Sequence, residues 1–262
     1  MKRLVSALPQ SVRTALKRID FHLRQRGFTP YLRRKNLDGT VFDFWIADTD
    51  ARDWYDRTDR LTIELRFTRD HLIGAGDVVF DCGAHHGRSA ILFSRWVGER
   101  GVVIAFEPRP RNADILLKNL VLNGITNVRV ERKAVGASSG RIRIDGVSDS
   151  TVIFSNQGVE VEVARLDDYA SLKPAFVKID VEGFEYQVLQ GARQVLSRRP
   201  KLAVEIHGDK LTKYGSSLPD ILDAIGLDGY DAWIQWKDSD EPVRYGGEPV
   251  AGRVHMFFIP SK

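Results

Sequence analysis

Two groups of residues in this chain have the types and spacing for chemistry. The first is acidic with one histidine. Asp180 ends the stretch Val177–Lys178–Ile179, and Glu182 and Glu185 follow it. Glu205 and His207 close the run Leu202–Ala203–Val204 with Ile206 between them. On a strand, residues 205 and 207 share a face. Carboxylates beside an imidazole can take a proton from a hydroxyl. The first reading is therefore acid–base chemistry by Asp180, Glu182, Glu205 and His207, with no metal. His207 is the better base by its ordinary pKa, and Asp180 either orients it or holds an ammonium group. The competing reading places a divalent cation on Asp180, Glu205 and His207, where it would acidify a hydroxyl. Glu182 and Glu185 also have a plain structural reason, because acidic groups are favoured at a helix N-terminus.

The second group is a turn. The run Val78–Val79–Phe80 ends in Asp81, then Cys82, Gly83, Ala84, His85, His86 and Gly87, and a helical pattern opens at Arg88–Ser89. Gly83 lets the backbone turn sharply and approach a ligand. A second apolar run, Val102–Phe106, ends in Glu107–Pro108. An acidic residue at the tip of the second strand is placed to accept from ribose hydroxyls. The pattern suits a nucleoside-type cofactor. It is not that of a dinucleotide dehydrogenase, because G-x-G-x-x-G needs glycine where His85 stands. His85–His86 is a weak metal motif, since adjacent side chains diverge.

These residues need elements to hold them at one rim. From Gly76 the chain alternates strand and helix. The expected strands are 78–82, 102–107, 127–131, 175–180 and 201–206. The expected helices are 88–98, 111–123, 183–197 and 217–226. Such alternation implies a parallel sheet with right-handed crossovers. Residues 141–165 interrupt it with two alternating segments, a hairpin-like excursion. Segments 231–236 and 253–259 read as strands around the loop Glu241–Gly252. Upstream, Thr40–Ile46 alternates as a strand, Asp48–Asp50 reads as a turn and Trp54–Phe67 as a helix. Trp45, Trp54 and Tyr55 read as packing, or as walls of a cleft. Residues 1–27 read as a basic amphipathic helix with Val12, Leu16, Ile19 and Leu23 on one face. The expected architecture is a doubly wound, Rossmann-like α/β domain over 70–262, its sheet mostly parallel with an antiparallel last strand. A basic N-terminal extension of helices and a short strand fills 1–69.

The net charge of +4 conceals an asymmetry. Residues 1–36 carry ten basic residues against Asp20, a net +9, and the remainder carries −5. Nucleic acid is therefore not the expected partner, because the basic charge is not spread over the domain. The arm packs on its own domain or a second copy in a homo-oligomer, or it meets an anionic membrane surface through residues 1–36. Cys82 is the sole cysteine, so no internal disulfide forms. No apolar run reaches membrane-spanning length, and no apolar N-terminal core suggests a secretory signal. The expected location is cytoplasmic, with peripheral membrane attachment as the alternative.

D-C-G-A-H-H-G at 81–87, F-E-P at 106–108, L-D-D-Y at 166–169, K-I-D-V-E-G-F-E at 178–185, L-Q-G-A at 189–192 and V-E-I-H at 204–207 together resemble the FkbM family of class I methyltransferases. The resemblance covers about residues 76–208, and it departs from the family at His85, where asparagine is common. It implies S-adenosylmethionine as cofactor and O-methylation of a hydroxyl on a glycan, glycolipid or natural product, with a small-molecule, glycan or lipid-linked acceptor. It also implies a cofactor site of Asp81, Gly83, Ala84, His85, Gly87, Ser89, Glu107, Pro108, Ala134 and Asp180. In that site Ser89 and the N–H groups of 83–88 receive the methionine carboxylate, and Ala134 lies near adenine. The alternatives are an NAD-dependent oxidoreductase and a non-catalytic binding protein on the same fold.

Overall fold

An eight-stranded sheet runs through the middle of the structure, a computed structural model that describes residues 23–144 and 158–261 together with Val12 and Ile19. The described strands, in chain order, are β1 (Tyr31–Leu37), β2 (Thr40–Ile46), β3 (Val78–Cys82), β4 (Val102–Phe106), β5 (Val128–Glu131), β6 (Lys133–Val135), β7 (Gly140–Ile144), β8 (Val159–Ala164), β9 (Phe176–Ile179), β10 (Lys201–His207), β11 (Tyr230–Gln235), β12 (Val243–Arg244) and β13 (Arg253–Pro260). The large sheet is ordered β12-β11-β13-β10-β9-β3-β4-β5. From β5 to β10 all neighbours are parallel, and β13 is antiparallel to both β10 and β11.

The central strands are apolar on both faces because helices cover both. Alternate residues serve separate cores. Phe80, Cys82, Ile104 and Phe106 face Leu166, Val188 and Ile221. Val79, Val103, Ala105 and Phe176 face Ile91, Phe93 and Leu116. β3 sits where the strand order reverses, with β4 on one side and β9 on the other. Ligands bind in the crevice at such a point, beyond the carboxyl ends of the strands. No described helix is long and apolar enough to cross a membrane.

The region before β3 differs from the sequence expectation. Residues 31–46 form a hairpin, β1 with β2, not one strand. Its Phe42, Phe44 and Ile46 join the core that contains Ile91 and Leu116. The outer edge of β2 is closed by two helix side chains. Asn123 Oδ1 accepts from Asp43 N at 2.8 Å, and Asn119 Oδ1 accepts from Trp45 N at 2.7 Å. Backbone donors that would otherwise be orphaned at an edge are thereby satisfied. Asp48–Asp50 is not a turn. Asp48 caps the helix Thr49–Tyr55, its Oδ1 accepting from Ala51 N at 2.8 Å. The expected helix 54–67 is broken, and a second helix, Ile63–Phe67, runs into a π-turn at Thr68–Leu72. Helix 183–197 likewise divides into Glu185–Gln190 and Arg193–Leu196. At Gly191 a Cβ would lie 2.1 Å from the Gly136 carbonyl, so the chain passes there only as glycine. The excursion pairs β7 with β8, and β6, which the sequence reading did not foresee, extends it as a third strand.

Most of the expected helix 1–27 lies outside the described residues. Val12, Ile19 and Leu23 are helical and exposed. The last basic residues of the arm lie beside acids, with Lys35 buried and Arg33 and Arg34 exposed. Lys35, 2% exposed, lies 2.7 Å from Asp59, Arg33 lies 3.0 Å from Asp56, and Arg34 lies 3.5 Å from Asp43.

Candidate active site

The glycine turn is held from below. Gly83 has φ +86, and a Cβ there would sit 1.9 Å from the Asp180 carbonyl. Only glycine lets the tips of β3 and β9 come so close. His85 also takes a left-handed backbone, φ 50, which costs a side-chain-bearing residue strain. That conformation aims its N–H at Glu107 Oε2, 2.9 Å away. Arg109 N donates to Glu107 Oε1, also at 2.9 Å. Glu107 is nonetheless 2% exposed, and burial pushes its carboxyl up to about 7 against these two donors.

Of the N–H groups of 83–88 expected to receive a carboxylate, four already have partners within the protein. Gly83 N and Ala84 N both donate to the Phe106 carbonyl at 3.0 Å, His85 N is on Glu107, and Gly87 N is on Ala84 O. Ser89 Oγ is committed too, donating to Asp81 Oδ2 at 2.6 Å. Asp81 is fully buried, and desolvation raises its pKa against the pull of Lys178 and Ser89.

At the next two strand tips the structure brings Asp180, Glu205 and His207 together, with one donor atom of each within 4.8 Å of the others. Each already has a partner. Lys178 Nζ lies 3.1 Å from Asp180 Oδ2 and 3.5 Å from Asp81 Oδ1. Burial works to lower the Lys178 pKa, but Asp180, Asp81 and Glu205 outweigh it and hold it above the ordinary lysine value. Asp180 is burdened by burial yet held below its ordinary value, chiefly by Lys178 and then His207. Arg253 Nη1 donates to Glu205 Oε1 at 2.9 Å. Burial and then the Asp180 charge raise Glu205 above the usual carboxylate range.

His207 is the largest revision. Its Nδ1 lies 2.8 Å from Glu185 Oε1, and its Nε2 lies 3.4 Å from Glu182 and 3.6 Å from Glu205. Burial opposes the imidazolium, but Glu185, Glu182 and Asp180 prevail and raise the pKa to about 9. His207 is thus protonated near neutral pH, and its ordinary imidazole pKa no longer describes it. Glu185 is more than a dipole partner. It is fully buried and also accepts from Gly183 N at 2.8 Å. Glu182, with φ +61, is ion-paired with Lys210.

One cavity of about 680 Å³ joins these groups, and Gly83, Ala84, His85, Ser89, Glu107, Pro108, Ala134, Asp180, Glu182, Glu205 and His207 all line it. Asp81 and Gly87 stand behind the wall. Trp54 and Tyr55 line it as well, whereas Trp45 is covered by Lys118, 3.1 Å above its ring. Tyr55 Oη and His85 Nδ1 are hydrogen-bonded at 2.8 Å. Burial and then the neighbouring His86 keep the His85 ring well below its ordinary pKa, so it is neutral.

Sequence reasoning missed Lys178, Arg253 and His255 as parts of the rim. Lys178 left a signal, a lysine between Val177 and Ile179 in a central strand. Arg253 and His255 left only the spacing of two on the last strand. Antiparallel pairing of β13 with β10 sets Arg253 opposite His207 and His255 opposite Glu205.

Comparison with known proteins gives three results. The chain matches the Methyltransferase FkbM domain over residues 81–232. It is 31% identical over 139 residues to the hexuronic acid methyltransferase AglP of Haloferax volcanii, a match spanning 50% of this chain and 56% of that protein. Its fold is similar to that of a methyltransferase FkbM from Methylobacillus flagellatus, with TM-score 0.52 and 21% identity, covering 98% of this chain and 57% of the other. It is similar too to a Clostridium thermocellum protein assigned as an rRNA methylase, with TM-score 0.50 and 13% identity, covering 75% and 93%.

Proposed function

The chain belongs to the FkbM family of class I S-adenosylmethionine-dependent methyltransferases, and on that premise we propose that it methylates a hydroxyl oxygen of a glycan, glycolipid or natural product. One observation carries the proposal. The cofactor-type acid, Glu107, and the charged rim of Asp180, Glu205 and His207 open into the same cavity. The relative that acts on a hexuronic acid favours a sugar acceptor.

The residues present fit the cofactor. Glu107 is a buried carboxylate with one backbone donor on each oxygen, and each oxygen keeps a further lone pair for a ribose hydroxyl. Pro108 and Ala134 line the same cavity and, in this proposal, flank the adenine. Bound there, S-adenosylmethionine supplies a methyl group already activated by a sulfonium, so positioning carries much of the rate.

The rim handles the proton. Glu205 takes it from the acceptor hydroxyl, because its raised pKa lies nearer neutrality than an ordinary carboxylate and a base works best near the operating pH. The His207 imidazolium, Lys178 and Arg253 hold positive charge around the same oxygen and favour its ionisation. Asp180, tied to Lys178, fixes that lysine and remains ionised.

The same three donors, each with an atom within 4.8 Å of the others, are the ones that would hold a divalent cation. Here each is engaged by the protein, His207 with Glu185, Asp180 with Lys178 and Glu205 with Arg253, and no step is routed through a metal. Turnover of S-adenosylmethionine against a panel of glycosides and lipid-linked sugars, with and without chelator, tests the proposal. Methyl transfer that survives chelation supports it. Failure to bind S-adenosylhomocysteine would sink it.

A further inference from the structure

Among the described residues, the lysines and arginines on the cavity wall are already matched to carboxylates, with one exception. Lys178 lies 3.1 Å from Asp180, Lys133 lies 3.7 Å from Glu131, Arg253 lies 2.9 Å from Glu205, and Lys210 is paired with Glu182. The exception is Arg88, at the first turn of the helix Arg88–Val97. Its guanidinium lines the cavity over the Tyr55 ring, 5.2 Å from the centroid. Tyr55 is fixed in turn by its bond to His85, and the half-exposed Trp54 ring stands 5.3 Å from His85.

An aromatic face orients a guanidinium and leaves its N–H fork free. That fork matches a carboxylate with two parallel hydrogen bonds. In the loop beneath, the N–H groups of Gly83, Ala84, His85 and Gly87 are spent on the protein itself. Arg88, whose neighbour is the Tyr55 ring and not a carboxylate, therefore faces a cavity beside a loop in which four N–H groups are already engaged.

We propose that Arg88, seated on Tyr55, is the carboxylate anchor of the cavity. The proposal rests on the methyltransferase reading, which brings two carboxylates within its scope. One is the amino-acid end of the cofactor. The other is an acidic group on the acceptor, such as a uronate, with Trp54 as a platform for its sugar ring.

Calorimetric titration of the full-length protein and Arg88→Gln with two matched pairs separates these sources. S-adenosylhomocysteine carries the amino-acid carboxylate, and methylthioadenosine lacks it. Nitrophenyl glucuronide carries a uronate, and nitrophenyl glucoside lacks it; this pair is titrated in saturating S-adenosylhomocysteine. Arg88→Gln should weaken the carboxylate-bearing member of one pair by about tenfold or more and leave its partner within about twofold, as expected for losing one charge-assisted interaction. Selective loss of S-adenosylhomocysteine assigns Arg88 to the cofactor, and selective loss of the glucuronide assigns it to an acidic acceptor. Arg88→Lys should recover part of either loss, which a purely structural role would not predict. Equal weakening within both pairs, or no change in either, overturns the proposal. If the unaltered protein fails to bind S-adenosylhomocysteine, the methyltransferase reading itself falls. If it binds and neither pair is split, only the anchor falls.

Discussion

Glu185→Gln isolates the charge that keeps His207 protonated. The side chain is fully buried, 2.8 Å from His207 Nδ1, and glutamine preserves its shape. In the native protein the imidazole rises from 6.5 to about 9. At about 1.4 kcal/mol per pH unit, that is on the order of 3 kcal/mol of preference for the charged form. Glu185 shares it with Glu182 and Asp180, so neutralising Glu185 should remove on the order of 1–2 kcal/mol. A folded pKa above the unfolded one stabilises fully below 6.5, and the contribution is lost as pH rises through about 9. Urea denaturation at about pH 6 and about pH 9.5 should therefore show the native protein losing more stability over this interval than the variant does. Other shifted groups, Glu107 and His255 among them, are present in both proteins and cancel in the comparison. Equal pH slopes for the two proteins, or an NMR titration placing His207 near 6.5, would refute the reasoning.

Three further outcomes follow from the same geometry. Glu107→Ala should weaken S-adenosylhomocysteine by about 1.5–3 kcal/mol in calorimetry, the range for charge-assisted hydrogen bonds; unchanged affinity would place the ribose elsewhere. Gly83→Ala puts a methyl 1.9 Å from the Asp180 carbonyl and strains a φ of +86, so the ligand-induced rise in thermal midpoint should shrink or vanish. Asp180→Asn should lower turnover by about 10²-fold while chelator leaves the native enzyme unaffected; abolition by chelator with rescue by Mn²⁺ would restore the metal reading.

The strand–helix alternation and the parallel sheet were legible because central strands and amphipathic helices write their burial into hydrophobic spacing. The glycine turn was legible for the same local reason, since Asp81, Gly83 and Gly87 must sit within a few residues of each other. So were Asp180, Glu205 and His207, because strand ends in an α/β sheet share one rim. What the sequence could not supply was who stands opposite whom. Arg253 reaches Glu205 only through the antiparallel register of β13 on β10. Glu185, twenty-two residues from His207, reverses the protonation expected of that histidine only once both are buried together. The break in helix 54–67 and the edge closure by Asn119 and Asn123 likewise depend on what packs against them. Local pattern fixes elements and turns. Charge state and partner choice belong to the folded chain, because burial and proximity set them and neither is visible along the sequence.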